Sequence, residues 1–376
     1  MKLLQIAPDL VLPPEIVAKR LAFLGMTGSG KTYAAMKLAE LMIAAGIQVV
    51  VVDVVGVWWG LRVAADGKKP GIQIPVFGGL HGDVPIEPTT GDLIAEVVVD
   101  RNLSCVIDIS QMDSDTDALR FARDFGKHVF DLRKRKPSAM MIFLEECQEL
   151  VPENPMSQME KLCLHAWKRA VKIGRNFGIG IALISQRPQE ISKKALNLAE
   201  VVFAFQMSGK HEREAVKAWI HQVGGEDNIV DLLPRLDVGR PYVYSPRLLK
   251  VSRVFHIGER WTFDASATPE IGEDRNAQVK PLSADDMKQL AERMAESIER
   301  AKAEDPKELQ KTIAEMGKEL AILKSQKPAT VKADDAALQK AFERGAKSVK
   351  AELGKAASRV HNHHQKALQK GCGDGG

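Results

Sequence analysis

Residues 25–32, with the sequence GMTGSGKT, constrain the fold of this chain more than any other stretch. A glycine, four free residues and then Gly-Lys-Thr form the pattern of a phosphate-binding loop. Residues 21–24 before it are apolar and predict a short buried strand, and residues 33–45 after it have a helical repeat that Gly46 ends. A strand, a glycine loop and a helix N-terminus in this order point several backbone N–H groups at one place, where a polyphosphate fits.

Each part of the loop has a predicted role in binding ATP and Mg²⁺. Lys31 is expected to neutralise the β- and γ-phosphates, and the Thr32 hydroxyl to hold Mg²⁺. Gly28 and Gly30 let the backbone approach the phosphates. A glycine-rich turn can match the pattern by chance, but here the strand, the loop and the helix all follow in the required order. The predicted ATP-binding residues are Gly25, Thr27, Gly28, Ser29, Gly30, Lys31 and Thr32.

A second group of candidate residues ends the apolar run at 139–146, AMMIFLEE. A buried strand that ends in acids delivers them to its carboxyl edge, where the phosphate loop also opens. Because neighbouring residues of a strand point to opposite faces, we expect different roles for the two acids. One, Glu145 or Glu146, addresses Mg²⁺, and the other polarises a water molecule. The alternative is a strand end with two solvated acids.

The rest of the chain up to residue 257 predicts an α/β fold with a mostly parallel sheet. Residues 1–18 are expected to be an irregular lead-in, because three prolines interrupt them. Asp53 lies near the end of the second strand and either faces the nucleotide or caps a turn. Residues 58–92 are a long insertion rich in Gly and Pro. Predicted strands are 47–55, 103–110, 139–146, 179–185 and 201–205, with β segments in 241–257, and predicted helices are 91–99, 115–136, 156–174 and 211–221.

Composition limits the classes of partner. The net charge of +4 permits a polyanionic partner without requiring one. The four cysteines lie far apart without the spacing of metal ligands, which favours reduced thiols in a cytoplasmic protein. The most apolar window, residues 47–61, is interrupted by Asp53 and is too short to span a bilayer. We therefore expect a cytoplasmic protein without membrane contact.

Four motifs together resemble the HerA/FtsK-type P-loop motor ATPases, specifically the HerA-like branch. They are GMTGSGKT, IQVVVVD, IFLEECQELVP and GRNFGIGIALISQRPQEI, and the resemblance covers residues 20–257. It implies a RecA-like core at 19–262, ATP hydrolysis, assembly into a hexameric ring and translocation of duplex DNA. It also implies that Glu145 is the metal-binding acid, Glu146 the catalytic glutamate and Gln186 a polar sensor, and that Arg175 is a candidate arginine finger for a neighbouring subunit.

Some features depart from the family's pattern, and several alternatives stay open. Glu145 stands where many P-loop enzymes have Asp, and neither an N-terminal barrel domain nor membrane helices are expected. Arg175 lies in a cluster of cations at a helix end and is equally explained by the helix dipole. The chain could instead be a nucleotide-dependent scaffold ring for a partner nuclease or defence effector, or a DNA packaging or transfer ATPase of a phage or mobile element.

The C-terminal third predicts a helical extension. Residues 263–281 have the composition of a linker. Apolar residues in 282–326 repeat at intervals of four and three, which is typical of a coiled coil, either a hairpin within the chain or a contact between subunits. Residues 333–370 predict a basic helix, which either binds DNA phosphates or presents a solvated face.

Overall fold

The computed structural model describes residues 4–225 and 228–266, together with single helical residues at positions 288, 292, 343 and 347. By its internal contacts the chain divides into two units, residues 1–304 and 305–376. The predicted linker, coiled coil and basic helix lie almost wholly outside the described residues, so they stay predictions. All of the architecture given below belongs to the first unit.

Eleven strands are present in the described residues. A nine-stranded sheet has the order β11-β10-β9-β3-β8-β7-β4-β6-β5, in which β3 to β9 are parallel and β10 and β11 are antiparallel at one edge. The other two strands form a separate antiparallel hairpin. The strands are β1 Leu4–Ala7, β2 Leu10–Leu12, β3 Arg20–Leu24, β4 Gln48–Asp53, β5 Val76–Gly78, β6 Cys105–Asp108, β7 Met140–Leu144, β8 Ile179–Ser185, β9 Val201–Ala204, β10 Tyr242–Ser245 and β11 Val251–Val254.

Helices cover both faces of the sheet. On β4, Val50 and Val52 pack into one core with α2, α3 and α4, whereas Val49 and Val51 pack into the other core with α1 and the hairpin. This alternation explains why the strand is apolar at nearly every position. The helices in the described residues are α1 Lys31–Ala44, α2 Gly91–Asp100, α3 Asp115–Arg135, α4 Gln158–Ile173, α5 Lys193–Leu196, α6 Lys210–Gln222 and α7 Ile229–Leu232.

The strand order confirms the predicted RecA-like α/β core with a mostly parallel sheet. β8 lies between β3, which leads into the phosphate loop, and β7, which leads into the two acids. Because these strands are parallel, their carboxyl ends meet at one edge of the sheet. The loop, the acids and the residues after β8 are therefore neighbours in space, although the loop lies more than a hundred residues before the acids in the chain.

Two local predictions are wrong. The lead-in predicted as irregular over residues 1–18 contains a hairpin in its described part, because β1 and β2 pair with each other and Pro8 lies in the turn between them, where it interrupts no strand. Helix α4 begins at Gln158 and not at residue 156, because Ser157 caps it. The Ser157 hydroxyl accepts a hydrogen bond from the Glu160 N–H at 3.1 Å, and the Glu160 carboxylate accepts one from the N–H of Met156, the residue before the cap, at 2.6 Å.

Candidate active site

The phosphate loop has the backbone that its glycines predict. Gly30 precedes α1 with a φ of 96°, and a Cβ atom there would lie 3.0 Å from the Gly239 nitrogen. Only glycine combines that backbone angle with such a close approach. Ser29 is buried and fixes the loop, because its hydroxyl donates to the Met26 carbonyl at 2.7 Å and its carbonyl accepts from the Gly239 N–H at 3.0 Å.

Glu145 follows β7 directly and reaches the phosphate loop. Its Oε1 accepts a hydrogen bond from the Thr32 hydroxyl at 2.8 Å, and its Oε2 accepts one from the Trp58 indole N–H at 2.8 Å. The residue is 2% exposed. The structure thus brings together the two residues that the sequence predicted as Mg²⁺ ligands, and it adds Trp58, which sequence reasoning missed.

Glu146 contacts the same loop through Lys31. The Lys31 Nζ lies 3.3 Å from the Glu146 Oε1, and both side chains are largely buried. The Glu146 Oε2 accepts from the Gln148 side-chain amide at 3.0 Å and from the Gln186 backbone N–H at 3.2 Å. Gln148 is a further site residue that the sequence did not reveal, since only its position shortly after the acids could have marked it.

The expectation that the two acids point to opposite faces of a strand is wrong. β7 ends at Leu144, so neither acid belongs to the strand, and Glu146 has a left-handed backbone with a φ of 42°. The chain therefore turns between them, and both carboxylates face the phosphate loop. Their roles still differ, because one contacts the Thr32 hydroxyl and the other the Lys31 ammonium.

Gln186 joins the loop to the acids. It follows the last residue of β8, and its side-chain carbonyl accepts a hydrogen bond from the Thr27 hydroxyl of the loop. Its backbone N–H donates to Glu146. One residue earlier, the Ser185 hydroxyl donates to the Gln148 side-chain carbonyl at 2.6 Å. The end of β8 thus contacts both halves of the candidate site.

Arg175 lies at the other end of β8 and does not enter this site. It belongs to the 3₁₀ turn Gly174–Phe177 that precedes the strand, and its guanidinium lies 3.6 Å from the Glu200 carboxylate. The seven residues of β8 separate it from Gln186 by about 20 Å, at roughly 3.3 Å per residue. Its side chain is 52% exposed, so it is open to a neighbouring molecule.

Asp53 caps a turn, which decides between its two predicted roles. Its Oδ1 accepts from the N–H groups of Val55 and Gly56, and its Oδ2 from those of Val57 and Trp58, at 2.8 to 2.9 Å. The carboxylate is fully buried. Both carboxylate oxygens are engaged by the backbone of this turn, so other residues must face the nucleotide.

The buried acids repel each other. Burial, and then the neighbouring charge of Asp53, raise the pKa of Glu145 to about 7, and hydrogen bonds from Trp58 and Thr32 oppose the rise. Burial and the charge of Asp108 raise the pKa of Asp53 to about 6, and backbone hydrogen bonds from Trp58, Gly56 and Val55 oppose the rise. The edge of the sheet therefore holds negative charge that a cation would stabilise.

The donor atoms suit Mg²⁺. The Thr32 hydroxyl and the Glu145 carboxylate are oxygen ligands, and Mg²⁺ is commonly held by one or two carboxylates together with phosphate oxygens and water. Within residues 4–225 and 228–266, no group of three or more His, Cys, Asp or Glu residues could hold a metal ion unaided. The Thr32 hydroxyl and the Glu145 carboxylate fit Mg²⁺ that arrives with a nucleotide, because the phosphates would supply further oxygen ligands. In the same described ranges, no helix is both long and apolar enough to cross a membrane.

Comparisons with known proteins agree with the motifs. A family model described as "Helicase HerA, central domain" matches residues 9–70, which include the phosphate loop, α1 and β4. No curated protein matches the chain.

Solved structures similar to the chain include VirB4 of Thermoanaerobacter pseudethanolicus, with 11% identity, a TM-score of 0.47, and coverage of 69% of this chain and 96% of that one. The genome packaging NTPase B204 of Sulfolobus turreted icosahedral virus 2, in complex with ATP-gammaS, has 12% identity, a TM-score of 0.41, and coverage of 64% and 97%. The pCW3 conjugation coupling protein TcpA has 14% identity, a TM-score of 0.41, and coverage of 75% and 68%. At these identities and TM-scores the likenesses do not bear on what the chain does.

The family match and the site geometry converge on the same residues. The matched range contains the whole phosphate loop and the turn that ends in Trp58. The strand order places Glu145 and Glu146 against that loop. Over residues 9–70 the chain is therefore similar to the HerA helicase central domain, and its site has the parts of a P-loop ATPase.

Proposed function

We propose that the chain binds ATP with Mg²⁺ at this edge of the sheet and uses its hydrolysis to move duplex DNA. The observation that carries the proposal is the pairing of the loop with the acids: Thr32 contacts Glu145 and Lys31 contacts Glu146. A phosphate loop, a metal-binding acid and a second acid within reach of the γ-phosphate are the parts that hydrolysis needs.

In this mechanism Thr32 and Glu145 hold Mg²⁺, which neutralises charge on the phosphates when it is bound. Lys31 binds the β- and γ-phosphates. Because a triphosphate competes for the Lys31 ammonium, nucleotide binding loosens its ion pair with Glu146. The freed carboxylate then accepts a proton from the attacking water. Since a base must lie within hydrogen-bond reach of that water, the contacts that fix Glu146 are part of the proposal.

Gln186 is proposed as the sensor of the γ-phosphate. Its side chain contacts Thr27 of the loop and its backbone contacts Glu146. Loss of the γ-phosphate would therefore alter contacts at the carboxyl end of β8. Arg175 lies at the opposite end of the same strand. This arrangement offers a physical route from hydrolysis to the opposite edge of the sheet.

Ring formation is proposed from the position of Arg175. Its guanidinium is half exposed and lies about 20 Å from its own site, so it serves hydrolysis only if a second copy presents its site to it. A head-to-tail ring repeats such a contact around the assembly. The match of residues 9–70 to the HerA helicase central domain supports a DNA motor, and we propose a hexameric ring on duplex DNA as its form.

Two measurements test this function together: the ATPase rate with and without duplex DNA, and the mass in solution with and without ATP. We expect DNA to stimulate hydrolysis and the assembly to have about six times the 41.3 kDa of one chain. If the protein forms a ring but hydrolyses ATP slowly, at a rate that DNA does not change, a scaffold for a partner nuclease or effector is favoured. A protein that stays monomeric with ATP and DNA would refute the ring.

A further inference from the structure

Both oxygens of the Glu145 carboxylate have a hydrogen-bond donor. The Thr32 hydroxyl donates to Oε1 and the Trp58 indole N–H donates to Oε2, each at 2.8 Å. The first donor belongs to the phosphate loop. The second comes from the insertion after β4, which none of the predicted catalytic roles includes.

Trp58 is held firmly from two directions. Its backbone N–H donates to the Asp53 carboxylate at 2.8 Å, as the last donor of the turn that Asp53 caps. Its ring is fully buried and packs against Phe143 of β7, with the ring centres 5.4 Å apart. Since Phe143 precedes Glu145 by two residues, the indole is fixed relative to the same strand that carries the acid.

We propose that Trp58 is a positioning residue for the metal-binding acid. Its N–H fixes the rotation of the Glu145 carboxylate, so that Oε1 stays directed at Thr32, the residue with which Glu145 would hold Mg²⁺. The proposal rests on the metal-binding role proposed above for Glu145. An indole N–H can donate but cannot accept, so it orients the carboxylate without taking its proton.

Outer partners that orient a metal ligand contribute measurably to metal affinity. Their loss typically weakens metal binding by about 10- to 100-fold. Here one carboxylate oxygen has a donor outside the metal site, which leaves the other oxygen and the Thr32 hydroxyl for the ion. Without the indole N–H the Glu145 carboxylate is free to rotate. Mg²⁺ binding must then fix its orientation, which costs conformational entropy and weakens the affinity for the metal.

The test is Trp58→Phe, which keeps an aromatic ring and removes the N–H. The readout is the Mg²⁺ concentration that gives half-maximal binding of a fluorescent, non-hydrolysable ATP analogue, measured with the unfolding temperature of each protein. We expect Trp58→Phe to raise that Mg²⁺ concentration about 10-fold or more. Affinity for the analogue in EDTA should stay near that of the wild type.

Trp219→Phe is the matched control. Trp219 is also buried and packs edge-on against Tyr244, but its indole nitrogen has no hydrogen-bond partner among the described residues. Its replacement therefore removes the same atoms without removing a bond. If both variants shift the Mg²⁺ requirement equally, or if neither does, Trp58 acts only through packing and the proposal is overturned.

A second measurement does not depend on the folding of Trp58→Phe. The chain has five tryptophans, so the wild type gives at most five indole N–H resonances by NMR. Glu145→Gln changes the acceptor of the Trp58 N–H only, and we expect one resonance to move upfield while the others stay. No movement overturns the proposed contact. A wild type that binds the analogue equally with and without Mg²⁺ refutes instead the metal-dependent site on which the proposal rests.

Discussion

Replacement of Glu145 by glutamine should stabilise the nucleotide-free protein at neutral and alkaline pH, although it removes a carboxylate from the active site. The pKa of Glu145 rises from 4.5 to about 7 on folding, because the group is buried beside Asp53. At about 1.4 kcal/mol per pKa unit, this shift corresponds to about 3 kcal/mol. Since the folded pKa is raised, the folded state is favoured while Glu145 is protonated. Stability is then lost as the pH rises from the unfolded to the folded pKa.

The assay is urea unfolding in EDTA at pH 5 and pH 8. The wild type should lose about 2 to 3 kcal/mol more unfolding free energy between these pH values than Glu145→Gln does. Asp53, whose pKa is raised to about 6, titrates in both proteins, so the difference contains the titration of Glu145 together with its repulsion from Asp53. Glu146→Gln is the control, because it removes the ion-pair partner of Lys31 and should not stabilise the fold at pH 8. If the unfolding free energy falls equally in the wild type and in Glu145→Gln between pH 5 and pH 8, burial does not destabilise the charged form of Glu145 and this prediction is refuted.

Three further predictions concern activity. Lys31→Ala should weaken ATP binding at least about 10-fold in an equilibrium titration, because it removes a charged hydrogen bond to phosphate, and unchanged affinity would contradict the site. Glu146→Gln should slow phosphate release by about 10²- to 10⁴-fold while ATP binding persists. A mixture of Arg175→Ala and Glu146→Gln chains should regain activity only if Arg175 acts on a neighbouring chain. No recovery would leave Arg175 as the partner of Glu200 alone.

The phosphate loop and the strands around it could be predicted because their signals are local. Glycines at positions with positive φ, a lysine and a threonine at the start of a helix, and apolar runs of strand length all lie within a few residues of each other. β8 is observed over Ile179–Ser185, as the apolar run indicated, because its end coincides with a change to polar residues and proline. The acids could be found for the same reason.

The contacts among these residues could not be predicted, because they depend on distant parts of the chain. Trp58 and Glu145 are separated by 87 residues, and only the adjacency of β4 and β7 brings them together. The positive φ of Glu146 is likewise set by its new partners, Lys31 and Gln186, and not by its own residue type. The alternation rule for strands failed there because the strand had already ended at Leu144.

The repulsion among the buried acids of the site lowers the free energy of unfolding, and this explains how nucleotide binding should affect the stability of the whole fold. Asp53 and Asp108 pair in register on β4 and β6, and Glu145 follows the next strand, β7, so that three buried acids stand at adjacent strand ends. Four backbone N–H groups offset the charge of Asp53, whereas that of Glu145 is offset by the Thr32 hydroxyl, the Trp58 indole and the charge of Lys31. A divalent cation that binds with ATP removes this repulsion, and a ligand at a hundred times its Kd adds about 2.7 kcal/mol to the unfolding free energy. Because Glu145→Gln relieves the same repulsion in advance, it should raise the stability of the free protein and abolish most of the further gain that Mg²⁺ gives to the wild type.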